Sequence, residues 1–301
     1  MDQILQALRG ILIDHLAASQ PLSQNMPAGS NIIRVPNTSK FRDGDEVFIM
    51  SIAGNVAYPT QIAKVNDWNE LLVDPPTLKA WSASAPESAF VQKAINHTFL
   101  KRVLIGDLKI IPDFPAITLE PATESNEWIT LQGTTHEHRL TIRAYVLYDQ
   151  FEKTNIGLAK LAKQIREVLL DHIHPQIDGF TYPLAADLPK GGTVVTIPDT
   201  SRFVPSRVVF IRDAKPRPNS QEDMVRSVLS ATQLELATPA QYDYLVGRQA
   251  ELLLVNRYFY DTRASNITYG FMPGSGGSLL KAAEITWFGK EEIIRQGNIA
   301  T

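Results

Sequence analysis

The sequence predicts an α+β fold: a central mixed or antiparallel sheet with two packed helices, bearing two inserted small β-barrel modules. Three observations predict it. "GSNIIRVPNTSKFRDGDEVFIM" (Gly29–Met50) returns as "GGTVVTIPDTSRFVPSRVVFIR" (Gly191–Arg212) at a constant offset of 162, with 8 identities in 22 positions. An amphipathic helical stretch and a Pro/Gly-rich link precede each copy. Longer strands with period-two alternation lie between and after the copies. This divides the chain into a split body (1–28, 97–189 and 257–301), a first module (29–96) and a second module repeating it (190–256).

The elements follow in order. Ile4, Leu5, Leu8, Ile11, Leu12 and Leu16 recur at helical spacing and predict a helix over about residues 3–18. "QPLSQNMPAGS" (Gln20–Ser30) ends it. "NIIRVP", "DEVFIMS", "TQIAKV", "NELLVDPP" and "AFVQKAI" are short, β-rich and separated by turn residues, as in a barrel of about five strands. "HTFLKRVLIGDLKII" and "FPAITLEP" supply extended segments, and "NEWITLQG" with "TTHEHRLTIRAYVLYD" forms a long hairpin turning near Gly133. In its second strand His138, Leu140, Ile142, Ala144, Val146 and Tyr148 share one face. A second helix is expected at 155–173, capped by Asn155, with Leu158, Leu161, Ala162, Ile165, Val168 and Leu169 as its apolar stripe. After the second copy, "ASNITYGFMPGSGGSLLKAAEITWFGKEE" reads as two strands joined by the glycine loop Gly274–Gly277.

The composition bounds the function. The 301 residues are 44% apolar and 20% charged, as in ordinary globular proteins. A net charge of -3 argues against gripping a phosphate backbone as the main task, because such proteins gain affinity from each Lys or Arg contact. Without cysteine there is no disulfide, thiolate–zinc or thiol chemistry. Neither a signal peptide nor a membrane span is expected, since charges interrupt the apolar N-terminus and no apolar run nears ~20 residues.

A search for chemistry leaves little. His136 and His138 in "THEH" lie two apart on a strand, so they could share a metal, but a half-exposed polar strand explains them without a third ligand nearby. His172 and His174 in "DHIH" point to different sides of a helix and suit its C-terminus better than a metal. "PGSGGS" (Pro273–Ser278) lacks the lysine of a phosphate loop and precedes a strand. "RDGDEV" (Arg42–Val47) is too short for a calcium loop and reads as a turn into a strand. No catalytic residue, cofactor or metal ligand is therefore nominated, and the expectation is a protein that is not an enzyme. Trp68, Trp81, Trp128, Tyr269 and Trp287 exceed what small cores need, and some suit protein contacts. Hairpin positions nominate Trp128, Tyr269, Phe271, Met272, Ser275 and Trp287 as contact residues.

Pro115–Leu169 and Asn266–Glu292 together resemble the tail terminator and tail completion proteins of tailed bacteriophages. Glu127, Thr130, Leu131, Gly133, His138, Tyr269, Gly270, Leu279, Leu280, Ala282, Ala283, Ile285 and Trp287 carry the likeness, which with the first helix covers about half the chain. Phe41, Gly44, Asp45, Val47 and Ile49 resemble the signature of small β-barrels in phage structural proteins. The second copy departs from it by losing the Gly-Asp turn, and compact terminators lack both insertions. The resemblance implies a virion protein of the neck or tail, assembled in the host cytoplasm as a homohexameric ring. Such a ring would cap the tail tube or sheath, dock it to the head–tail connector or adaptor, and let DNA pass its lumen without specific binding. The other expectation is a baseplate or fibre-linked module using its repeated barrels to grip a partner or glycan.

Overall fold

The computed structural model describes residues 1–51, 57–95, 98–106, 113–130, 133–147, 151–171, 180–213, 219–254, 259–273 and 279–294. Among them are two α-helices and three six-stranded sheets, each sheet with its own apolar core. The class is α+β with barrel-like modules.

The body begins with α1 (Asp2–Leu16). Its buried Ile4, Leu5, Leu8, Leu12 and Leu16 meet the stripe of α2 (Phe151–Asp171), namely Leu158, Leu161, Ala162, Ile165, Val168 and Leu169. The second helix starts four residues before the expected cap, so Asn155 lies inside it. Both helices share the core of a sheet built from β7 (Arg102–Ile105), β8 (Ala116–Thr130), β9 (Gly133–Leu147), β16 (Phe259–Ala264), β17 (Thr268–Pro273) and β18 (Leu279–Ile294). The order is β16-β18-β9-β8-β7, with β17 beside β16 along the same edge of β18. Only β7 and β8 run parallel. "AITLEP" of the first expected segment and "NEWIT" of the second belong to the single strand β8. A register shift between Pro121 and Thr123 accommodates the proline, which has no N–H to give a ladder.

Module 1 comprises β1 (Ser19–Pro21), β2 (Ile32–Arg34), β3 (Glu46–Ser51), β4 (Ala57–Asp67), β5 (Glu70–Asp74) and β6 (Ala89–Ala94), in the order β1-β6-β3-β4-β5-β2. Module 2 comprises β10 (Phe180–Pro183), β11 (Val194–Thr196), β12 (Val208–Arg212), β13 (Ser220–Val228), β14 (Gln233–Leu236) and β15 (Glu251–Leu254). Its order, β10-β15-β12-β13-β14-β11, is the same topology. Each is an open curled sheet of six strands, not a five-stranded barrel. The sixth strand, β1 or β10, comes from the stretch expected to be linker.

The likeness extends to single hydrogen bonds. The Thr38 hydroxyl donates to the Asp67 carbonyl at 2.7 Å, and that of Thr200 to the Ser230 carbonyl at 2.6 Å. Met26 bridges Trp81 as Leu188 bridges Tyr244. Gly29 and Gly191 both take left-handed φ, 80° and 84°.

Candidate functional site

Three places on the chain collect the residues singled out from the sequence. The first is the edge formed by β17. Thr268, Tyr269, Gly270 and Phe271 are all exposed, and the strand's described partner is β18 alone. Alternation ordinarily buries every second residue of a strand; here both faces stay open to solvent over Thr268–Phe271. Tyr269 and Phe271 are 48% and 55% exposed, with the Lys281 ammonium 5.3 Å from the Phe271 ring. Trp128 lies on β8 opposite Thr134, and Met272 on β17 opposite Leu280. Ser275, the glycine loop around it, and His172 and His174 fall outside the described residues.

Trp287 is not a surface residue. At 1% exposure it lies in the body core, edge-to-face with Phe259 at 5.9 Å. The ring lies over Gly289, where an added Cβ would come within 2.3 Å of Trp287 Cη2. Trp287 shares with Ala283 and Ile285 the face of β18 that packs into the body core with the helices. Trp81 is buried as well, in module 1.

The second place is the "RDGDEV" turn of module 1. Arg42 reaches Asp171 at 2.6 Å and Glu167 at 3.4 Å, Asp45 meets Gln164 at 3.4 Å, and Glu46 pairs with Lys160. Residues 160, 164, 167 and 171 are spaced four, three and four apart, one stripe of α2. The turn therefore binds module 1 to the body helix. Module 2 has Val204, Arg207 and Val208 at the positions of Arg42, Asp45 and Glu46, so its copy cannot make the same set of ion pairs. This is the physical content of the lost Gly-Asp turn: the sheet is kept and the latch is not. Module 2 instead touches module 1, where Asn37 donates to Gln249 at 2.9 Å and Gln249 to the Pro36 carbonyl at 3.1 Å. An open cleft of about 230 Å³ on module 2 is lined by Lys190, Asn219, Gln241, Tyr242, Asp243 and Arg248.

The third place is the distal half of the β8–β9–β18 ladder. His138 is not on a half-exposed strand face: it is 1% exposed, with Nε2 2.9 Å from Oε1 of Glu291, itself 1% exposed. The His136 ring stacks on it at 6.2 Å. The third polar partner missing from the local sequence comes from β8, where Glu124 stands opposite His138, with Oε1 3.5 Å from Nδ1. The bulge after Pro121 places it there. Ile117 and Leu119 face the core, and simple alternation would send Glu124 to the other side, but one extra residue reverses the parity. Pairing residues about a turn at Gly133 would set Glu124 opposite Ile142; the observed register, with Thr130 opposite Gly133, and the bulge could not be read.

No protein-family model matches the chain, and no curated protein matches it. Nine solved chains are similar to parts of it, two phage tailspikes among them. One is the Gp54 tailspike of Acinetobacter baumannii bacteriophage AP22 in complex with A. baumannii capsular saccharide. It is 19% identical over 27% of this chain and 15% of that one, with a TM-score of 0.24. The other is the tailspike gp61 of Pseudomonas phage phi297, 17% identical over 26% of this chain and 14% of that one, with a TM-score of 0.23. The chain thus spans about one seventh of either tailspike, and likenesses this small carry no argument about function.

Proposed function

We propose that the chain is a structural protein of a tailed-phage particle, of the tail terminator or neck class, which assembles through its body into a closed ring. Its modules then serve as contact arms toward tube, sheath or connector proteins. The observation that carries this reading is β17. A strand exposed on both faces and lying at a sheet edge invites pairing with another chain, and monomeric proteins usually cover or blunt such edges. Aromatic side chains at that edge suit a protein contact. A ring needs a contact of this head-to-tail kind, which closes when the rotation between neighbours divides the circle. Of the residues that resemble tail terminators, Tyr269 and Gly270 lie on this strand and pair with Ala283 and Ala282 of β18.

Light scattering of the purified chain tests the reading. A particle six times the 33.5 kDa chain mass is expected, and Tyr269→Asp with Phe271→Asp should return it to monomer without lowering its melting temperature. Labelling in intact virions should place the protein at the head–tail junction. A chain that stays monomeric at every concentration and is absent from that junction overturns the proposal.

The cleft on module 2 favours a second reading, a baseplate or fibre-linked module that grips a partner or glycan. Its polar rim and the 41% exposed Tyr242 offer hydrogen bonds and an apolar ring face together. A stable monomer that binds saccharide, and loses it in Tyr242→Ala, would select this reading.

A further inference from the structure

We propose that Glu124, His136 and His138 hold one zinc ion, with Glu291 orienting His138 from behind. One ligand atom from each of the three residues lies within 4.8 Å of the others. The donors come from adjacent strands, two from β9 and one from β8, held in register by the ladder.

The state of His138 points to a metal more strongly than proximity does. Its Nδ1 is buried and has no hydrogen-bond partner, although its Nε2 is well bonded. An unmatched buried polar atom costs about 1–3 kcal/mol, so something must take its lone pair or its proton. A buried carboxylate at Nε2 fixes the proton there, makes the ring a better donor and leaves the Nδ1 lone pair available. Metal-binding histidines are ordinarily set up in this way. Nδ1 faces Glu124 Oε1 at 3.5 Å, and two donors on one tetrahedral zinc with bonds of ~2.0–2.1 Å stand about 3.4 Å apart.

Two imidazoles and one carboxylate form a three-ligand zinc set, with the fourth position left to water. Glu124 is exposed and His136 half-buried, so the ion can enter from solvent and the Glu124 side chain can close on it. The ion ties β8 to β9 beyond the bulge, where the ladder register has shifted. No reaction is assigned to it.

The experiment uses the full chain without an affinity tag, stripped with chelator and dialysed against zinc chloride, with bound metal counted by mass spectrometry. One zinc per chain is expected, with a higher melting temperature. His136→Ala and Glu124→Gln, both outside the core, should each weaken binding at least tenfold. Glu291→Gln should weaken it by ~10–100-fold, because it alters the group that orients His138. Absence of stoichiometric zinc overturns the proposal, as does zinc retained equally by His136→Ala and Glu124→Gln. Neither result depends on whether the chain forms a ring.

Discussion

Lys93 and Leu254 occupy the same place in the two modules: Lys93 pairs with Val47 across β3 and β6, and Leu254 with Val209 across β12 and β15. Both side chains are buried. The Lys93 ammonium donates to Asp45 at 2.6 Å and to the Lys40 carbonyl at 3.1 Å; module 2 has Arg207 in place of Asp45. One sheet thus tolerates either a buried ion pair or a plain apolar residue at this point.

Removing one partner should be costly and removing both should not. Lys93→Leu alone leaves Asp45 charged and buried, and should lower stability by about 3–5 kcal/mol. Lys93→Leu with Asp45→Asn should recover most of that loss in urea unfolding. A double variant as unstable as the single one would contradict the argument.

Stability should also depend on pH through Lys93. Burial holds its ammonium below the ordinary 10.5, with Asp45 pulling the other way. In the window just below 10.5 the unfolded chain then binds more protons than the folded one, so stability rises with pH there. The wild type measured against the double variant should gain stability as pH climbs toward 10.5. A fall over that range would mean that the ion pair outweighs burial.

Gly44 and Ser206 stand 162 residues apart with the same left-handed backbone, φ 87° and 67°. Their N–H groups donate at 2.7 Å to the carbonyls of Ile62 and Val225. A side chain in this region costs ~1–2 kcal/mol, set against the greater freedom of glycine in the unfolded chain. Gly44→Ala should therefore destabilise by about 1 kcal/mol, with no clash to add, since a Cβ there meets only Gln61 at 3.9 Å. Ser206→Gly should be neutral or stabilising. Calorimetry of the two variants decides: a stabilised Gly44→Ala, or a Ser206→Gly that loses stability, would refute the shared turn.

Gly289→Ala should destabilise by about 1–3 kcal/mol, because the new methyl meets the Trp287 ring and the packed core must shift. Trp287→Phe should relieve much of that clash. Thermal unfolding of both single variants and the double variant would measure the coupling.

Tyr244→Phe should cost nothing and can stabilise the chain. The Tyr244 hydroxyl is buried without a hydrogen-bond partner, and removing such a group removes its desolvation penalty. Burial and the nearby Asp213 also push its pKa upward, which keeps the phenol neutral throughout the ordinary pH range. A loss above ~1 kcal/mol in denaturant would show that the hydroxyl has a partner.

Local pattern determined the repeat, the strands within it, the two helix stripes and the buried face of β9. Each follows from periodicity that neighbouring residues carry by themselves: Ile33, Val47 and Ile49 alternate into a core wherever their strands pair. The tertiary structure decided what depends on distant partners. Trp287 was legible as a strand residue but not as a core one until α1 and α2 covered its face. Lys93 met Asp45 only through the pairing of β3 with β6. Glu124 came to His138 only because one extra residue in β8 reversed the side on which its carboxylate emerges, and a bulge is set by the energy of the whole ladder, which no short stretch of sequence contains.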